Sequence, residues 1–544
     1  MLACAATVAP AAPSRPAPDD LLRTYVAART AEAVGDEARA AQLFAGLAAQ
    51  DPANRTIAQR ALEGAIAAGN MPLALRLARG LKPAELEIDA RLLLVADDLR
   101  AGRTDYAMTR LRTPGAGPDL GFLAPLIQAW DQASRGDAAA LATFAQIPSR
   151  GPIANFLPEQ GALLLAQLRR TAEAEPLAQR AIASAGGREP RVRTELAEAF
   201  RAAGDRVRAA AMLDGQGRSL AMARARLARG EQLGVRIDRP ASAFAEVLLG
   251  LAIGLNRETD EGLPVALAQV ARYAAPSNSE TAVVLGLLLD QDDRPTAALS
   301  AFAGVPADDL LAEQARDARV RTLLRTNRFL EALDTASDAT RGRDVDVSDF
   351  IRLGDVYSAM GRQSEAAIAY QRAISLLPAS EAGSSESWAA YLLAGSALEQ
   401  AGRWPEARAL VEQGLKLAPD QPLLLNFLGY AKLTHGEDID AAEAMIRKAS
   451  ALRPSDSSIT DSLGWALFKR GKVKEAIATL EKATAGDPAQ SEIGEHLGDA
   501  LFTAGRRFEA RFAWRAALVT AEAKPAARIG AKIDRGLEPA TAAP

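Results

Sequence analysis

Few side chains in this sequence could do chemistry. Histidine occurs twice and cysteine once in 544 residues. His435 lies in "THGED" and His496 in "GEHLGDAL". A histidine can move protons near neutral pH or ligate a metal, but either task needs partner residues at set spacings. The sequence contains no HExxH, no GxSxG, no GxxxxGK[ST], and no GxGxxG after a strand-like run. A single cysteine excludes an internal disulfide framework and any cysteine-based zinc site. The acidic pairs Asp97–Asp98 and Asp292–Asp293 fall at helix ends or turns, where solvation accounts for them. His435 reads as a solvated turn residue and His496 as a contact or core-edge residue. No catalytic residue, metal or cofactor is expected, and the chain is read as a non-enzyme.

The elements that must position these residues are helical. Hydrophobic residues make up 49% of the chain, mostly alanine and leucine, and aromatics only 5%. Sixty-four basic and 68 acidic residues leave a net charge of −4, so no overall field draws in nucleic acid. The longest apolar run, "FAEVLLGLAIGL" (244–255), is too short to span a bilayer.

A repeat organises the C-terminal part. Gly354, Gly395, Gly429, Gly464 and Gly498 are separated by 41, 34, 35 and 34 residues. Alanine follows twelve residues later at Ala366, Ala407, Ala476 and Ala510, and thirteen later at Ala442. Small residues come next at Ala373, Gly414, Ala449, Ala483 and Ala517, and prolines close four units at Pro378, Pro419, Pro454 and Pro488. Glycine inside a helix costs about 1 kcal/mol relative to alanine, a cost offset if a second helix must approach closely. Gly464 is therefore expected to meet Ala476 and Ala483, with Leu463, Leu467 and Leu480 filling the gap. Weaker pairs precede the array, turning at Gly35, Gly69, Gly102, Gly136 and Gly204, within "QDDRP" (291–295) and at Asn327. Between Gly204 and Pro276 the period fades, and "RGEQLGVRIDRPAS" reads as a loop or kink.

A period near 34 with these offsets resembles the tetratricopeptide repeat, a helix–turn–helix unit. The resemblance implies an all-α right-handed superhelix of about a dozen helix pairs, in which each unit contacts its neighbours. The expected organisation is an anchor and tether (1–20), a degenerate helical-repeat solenoid (21–340), regular repeats (341–523), then a solvent-facing capping helix with a loose tail (524–544). The segment "TRGRDVDVSD" (340–349) reads as the junction.

In that family the first helix of each unit lines an inner groove. Carried over at offsets −3, +1 and +4 from each glycine, the last three units supply Asn426, Tyr430 and Leu433, then Asp461, Trp465 and Phe468, then Glu495, Asp499 and Phe502. The two units before them supply Ile351, Asp355 and Ser358, then Leu392, Ser396 and Glu399. Aromatics beside acids suit a protein segment with basic residues. Packing of Trp465 and Phe468 between units is the alternative. Members that clamp a carboxyl terminus use Lys, Asn and Arg on this face, so the acids here argue against that ligand.

Two further resemblances bear on location. "MLAC" resembles the end of a bacterial lipobox, which makes Cys4 the expected lipid-attachment site and "AATVAPAAPSRPAPD" its spacer. The series "LNFLGYAKL", "ITDSLGWALFKRGKVKEAIATLEKA" and "IGEHLGDALFTAGRRFEARFAWRAAL" resembles bacterial outer-membrane tetratricopeptide lipoproteins that act as adaptors of a periplasmic carboxyl-terminal processing protease. The implied function is an envelope scaffold that binds the serine protease and its substrates. The alternative is a soluble cytoplasmic scaffold for an unrelated complex.

Overall fold

The computed structural model describes residues 18–115, 117–234, 236–256, 262–342, 345–377 and 385–543. Cys4 and most of the proposed tether lie outside the described residues. Within them are thirty α-helices and a few 3-10 turns, with no strand. No helix among them is long and apolar enough to cross a membrane. The chain divides into two compact units, Met1–Thr326 and Asn327–Pro544.

In the N-terminal unit the expected turns are present. Gly35, Gly69, Gly102, Gly136 and Gly204 have φ between 69° and 91°, a left-handed conformation that lets the chain reverse after a helix. Asp293 does the same at φ 54°. So does Arg169 at φ 60°, between helices Leu157–Gln167 and Thr171–Ser184, where arginine carries no turn signature. Between Arg218–Arg229 and Pro240–Leu255 the described residues of 230–239 are not helical.

This unit departs from nearest-neighbour stacking. Helix Pro240–Leu255 is apolar and buried around most of its circumference, and so needs cover on more than one side. It and Leu263–Ala274 pack back against Ile88–Arg100, while Leu263–Ala274 also meets Arg55–Ala67 and Pro240–Leu255 meets Ala124–Ser134. Gln269 Nε2 donates to the Ala67 carbonyl at 3.1 Å, and the Tyr273 hydroxyl to Asp97 at 2.9 Å. The Asp97–Asp98 pair is therefore not merely solvated. Asp98 is buried and held by Arg103 and Arg110, at 2.8 and 2.6 Å.

The C-terminal unit is a regular series of helix pairs, among them Pro422–Thr434 with Ile439–Leu452, Ser457–Lys469 with Val473–Gly486, and Ser491–Thr503 with Arg507–Thr520. Its helix glycines are close-packing positions, but their partner differs from expectation. The atoms nearest a Cβ on Gly464 would be those of Leu480, with Cγ at 2.6 Å, rather than those of Ala476 or Ala483. The same seat is taken by Tyr370 over Gly354, Val411 over Gly395, Ile446 over Gly429 and Trp514 over Gly498. A large side chain sixteen residues on, or seventeen in the longer unit, thus presses onto each glycine, and the alanines let the second helix come near enough. Gly464→Ala is expected to lower stability by about 1–3 kcal/mol through overpacking. A thermal melt matching the parent would remove this account.

Candidate functional site

Residues three before and one after each glycine fall on one face of each first helix, so they form columns along the array. The structure brings these columns together, but it turns most of their charged members toward each other. Of the nine groove candidates in the last three units, Leu433, Asp461, Trp465, Glu495 and Asp499 are buried. Asn426, Tyr430, Phe468 and Phe502 are half-buried.

The buried members are matched within the chain. The two carboxylate oxygens of Asp461 lie 2.9 and 3.0 Å from His496 Nδ1. Burial opposes protonation of His496, yet Asp461, with Glu492 and Asp499 nearby, holds its pKa above the ordinary imidazole value. Trp465, 1% exposed, stacks on the His496 ring at 4.1 Å and on Phe468 at 5.0 Å, with the Lys469 ammonium 4.7 Å from its centre. His496 is thus a core residue rather than a core-edge one. Its Nε2 is buried with no hydrogen-bond partner among the described residues, and the His496–Asp461 pair holds the stacked rings in place.

The acids at the next repeat are neutralised by helix Ala523–Arg535. Arg528 donates twice to Glu495, at 2.7 and 2.6 Å, and Lys532 Nζ reaches Glu495 at 2.6 Å and both Asp499 oxygens at 2.7 Å. Burial would raise the Glu495 carboxyl, but Arg528 and Lys532 outweigh it and hold its pKa below the usual value. At Asp499 burial prevails and the pKa is raised despite Lys532. The expected acidic attraction for a basic partner is therefore satisfied internally. The capping helix is not simply solvent-facing either, since Lys532 and Ile529 are fully buried. Nor is the tail wholly loose: Thr541 and Ala543 are buried, and the Ala543 N–H donates to Asp499 at 3.2 Å. Arg528 and Lys532 continue the two columns one unit further, a register visible in the sequence once Ala531 is read in the glycine's place.

Tyr430 reaches past its neighbour. Its hydroxyl donates to Glu492 Oε1 at 2.7 Å, two first helices away. Burial and the Glu492 charge push its pKa up. Asn426 keeps a buried side-chain oxygen without a hydrogen-bond partner among the described residues. Phe502 packs on Trp514 at 5.6 Å, beside Gly536. Earlier in the array, Asp355 accepts from the Tyr370 hydroxyl at 2.7 Å. His435, read as a solvated turn residue, stacks on Trp404 at 4.7 Å and lies 3.5 Å from Glu399.

Sequence reasoning missed an exposed row on the second helix of the last pair. On helix Arg507–Thr520, Phe508, Phe512 and Val519 are 74%, 55% and 84% exposed, and the two phenylalanine rings meet edge to face at 4.8 Å. Spacings of four and seven residues align them along one helix stripe.

Comparison with known proteins places this unit. Models of the tetratricopeptide repeat match residues 350–379, 388–433, 428–491 and 462–528. The TPR repeat-containing protein PA4667 of Pseudomonas aeruginosa is 27% identical over 194 residues, covering 35% of this chain and 31% of that one. The match thus spans about a third of that relative's length. Among solved structures, a tetratricopeptide repeat protein from Parabacteroides merdae is similar over 47% of this chain and 97% of its own, at 14% identity and a TM-score of 0.39. YrrB, described as a TPR protein with an unusual peptide-binding site, is similar over 34% of this chain and 91% of its own, at 20% identity and a TM-score of 0.26. The repeat models and the glycine-centred packing agree on the same residues: within the C-terminal unit, residues 350–379 and 388–528 match the tetratricopeptide repeat.

Proposed function

We propose that this chain is a protein-binding scaffold, and more specifically a lipid-anchored adaptor at the periplasmic side of the outer membrane. In this reading Cys4 carries the lipid. The array recruits a carboxyl-terminal processing serine protease or its substrates, and the chain supplies no catalytic residue. Tetratricopeptide repeats support the scaffold role. The resemblance of the series across residues 420–520 to adaptor lipoproteins, together with "MLAC", supports the finer assignment. A lipid on Cys4 would anchor the chain without any spanning helix.

The observation that carries the binding role is the Phe508–Phe512–Val519 row. Large apolar side chains in solvent gain free energy when another surface covers them. On a helix whose opposite face is already packed, they present a ready anchor for an apolar partner segment. Phe508→Ser with Phe512→Ser should therefore reduce partner capture about tenfold or more while helicity and melting temperature stay near the parent's. Tyr430→Ala serves as the comparison. Loss of capture with Tyr430→Ala but not with the phenylalanine pair would place the contact on the inner face instead. Recovery of a periplasmic protease, stimulation of its proteolysis and a lipid on Cys4 are the results expected of the adaptor. Cys4 without lipid and capture of cytoplasmic proteins alone would overturn it.

A further inference from the structure

In the N-terminal unit, three helices bring one glutamate each to a single buried point. Glu159 lies on Leu157–Gln167, Glu195 on Glu189–Ala202 and Glu246 on Pro240–Leu255. Their residual exposures are 7%, 2% and 2%. One oxygen from each lies within 4.8 Å of the other two. A fourth carboxylate, Glu280, and the side chains of Arg188, Arg191 and Asn278 surround them.

The hydrogen bonds are unevenly shared. Glu280 accepts from Arg188 Nε at 2.9 Å and from Arg191 Nε at 3.1 Å. Glu246 accepts from Asn278 Nδ2 at 2.6 Å and from Arg188 Nη2 at 3.2 Å. Glu159 has one long contact, 3.5 Å from Arg188 Nη1. Among the described residues Glu195 receives no hydrogen bond on either oxygen, and the cation paired with it is Arg191, whose Nη1 lies 3.8 Å away. A buried carboxylate aimed at two others, with both oxygens unpartnered, is a costly arrangement unless something not contributed by the chain sits among them. Four carboxylates against two guanidiniums leave two negative charges when all are ionised.

We propose that Glu159, Glu195 and Glu246 form a binding site for a hard divalent cation of the size of Ca2+. An all-oxygen, all-carboxylate set suits calcium, magnesium or manganese rather than zinc or copper. Calcium accepts several carboxylates in flexible geometry, whereas magnesium keeps several of its waters and is seldom held by an all-protein set. A buried three-carboxylate point, its oxygens all within 4.8 Å of one another, therefore favours the larger ion. Its two charges match the two left over. Asn278 and Arg188, already bonded to Glu246, would orient that carboxylate from behind. Arg188, Arg191, Asn278 and Glu280, which surround the three glutamates, also line a cavity of about 830 Å³. The ion would tie the back-folded helix Pro240–Leu255 to two earlier helices. Sharing of protons among the carboxyl groups is the competing way to balance the charge.

The test uses the full chain, stripped with a chelator and dialysed against millimolar Ca2+ or Mg2+. The expected result is about one Ca2+ retained per chain by elemental analysis, a melting temperature several degrees higher in Ca2+, and a smaller effect of Mg2+. Glu195→Gln, close in shape, should fold by circular dichroism but lose both the ion and the rise. The exposed Glu173→Gln should keep both. Absence of a stoichiometric ion in the parent would overturn the site, whether or not Glu195→Gln folds. So would a Ca2+ stoichiometry unchanged in folded Glu195→Gln.

Discussion

Trp465→Ala is expected to destabilise the C-terminal unit by about 3–5 kcal/mol. The indole is 1% exposed, with the His496 ring on one side and Phe468 against it, so its removal opens a cavity between consecutive repeats. It also leaves His496 without its stacking partner while that ring stays tied to Asp461. Hydrogen exchange across residues 457–520 should report the loss as faster opening of those helices. The alternative raised by the sequence, that Trp465 is a free groove anchor, requires a folded variant that merely fails to capture a partner. Parent-like exchange in Trp465→Ala would restore that alternative.

Lys532→Met is expected to cost about 3–5 kcal/mol as well, because it removes the cation from a buried cluster and strands its acids. Glu495 would keep Arg528, but Asp499 would be left with the Trp514 Nε1 donor at 3.0 Å and the Ala543 N–H. The double variant Lys532→Met with Asp499→Leu should recover much of the loss, since an apolar pair can replace a buried ion pair at little cost. Added salt should change the parent's stability little, because the cluster is shielded from solvent. A Lys532→Met melt equal to the parent's would show that helix Ala523–Arg535 does not secure the end of the array.

Much of the fold was legible because its signals are local. Gly464 and its counterparts marked where helices cross, and Gly35, Gly69 and Gly102 marked where they turn. What presses on those glycines was less visible. Leu480 and Trp514 occupy one structural seat but differ in type, so side-chain identity does not repeat where position does. The inner acids were readable as acids, but not as half of an internal ion-pair set. Arg528 and Lys532 stand in the right columns, yet Ala531 replaces the glycine that marked the register elsewhere. The back-folding of the N-terminal unit had no local signal. An apolar run at 244–255 announces that it will be covered, but which helices cover it is decided by packing partners roughly 120 to 155 residues away.

A helical array of this kind behaves as a spring, and its stiffness depends on which coils are linked. If each first helix touched only the next, stretching would open the gaps one at a time with little resistance. The Tyr430–Glu492 bond spans three consecutive first helices, bracketing the Ser457–Lys469 helix between them. It resists opening of both gaps together, so these three first helices are braced at the spacing the structure shows. A partner that requires the coil to extend must break that tie first, whereas one that lies along the outer edge leaves it in place.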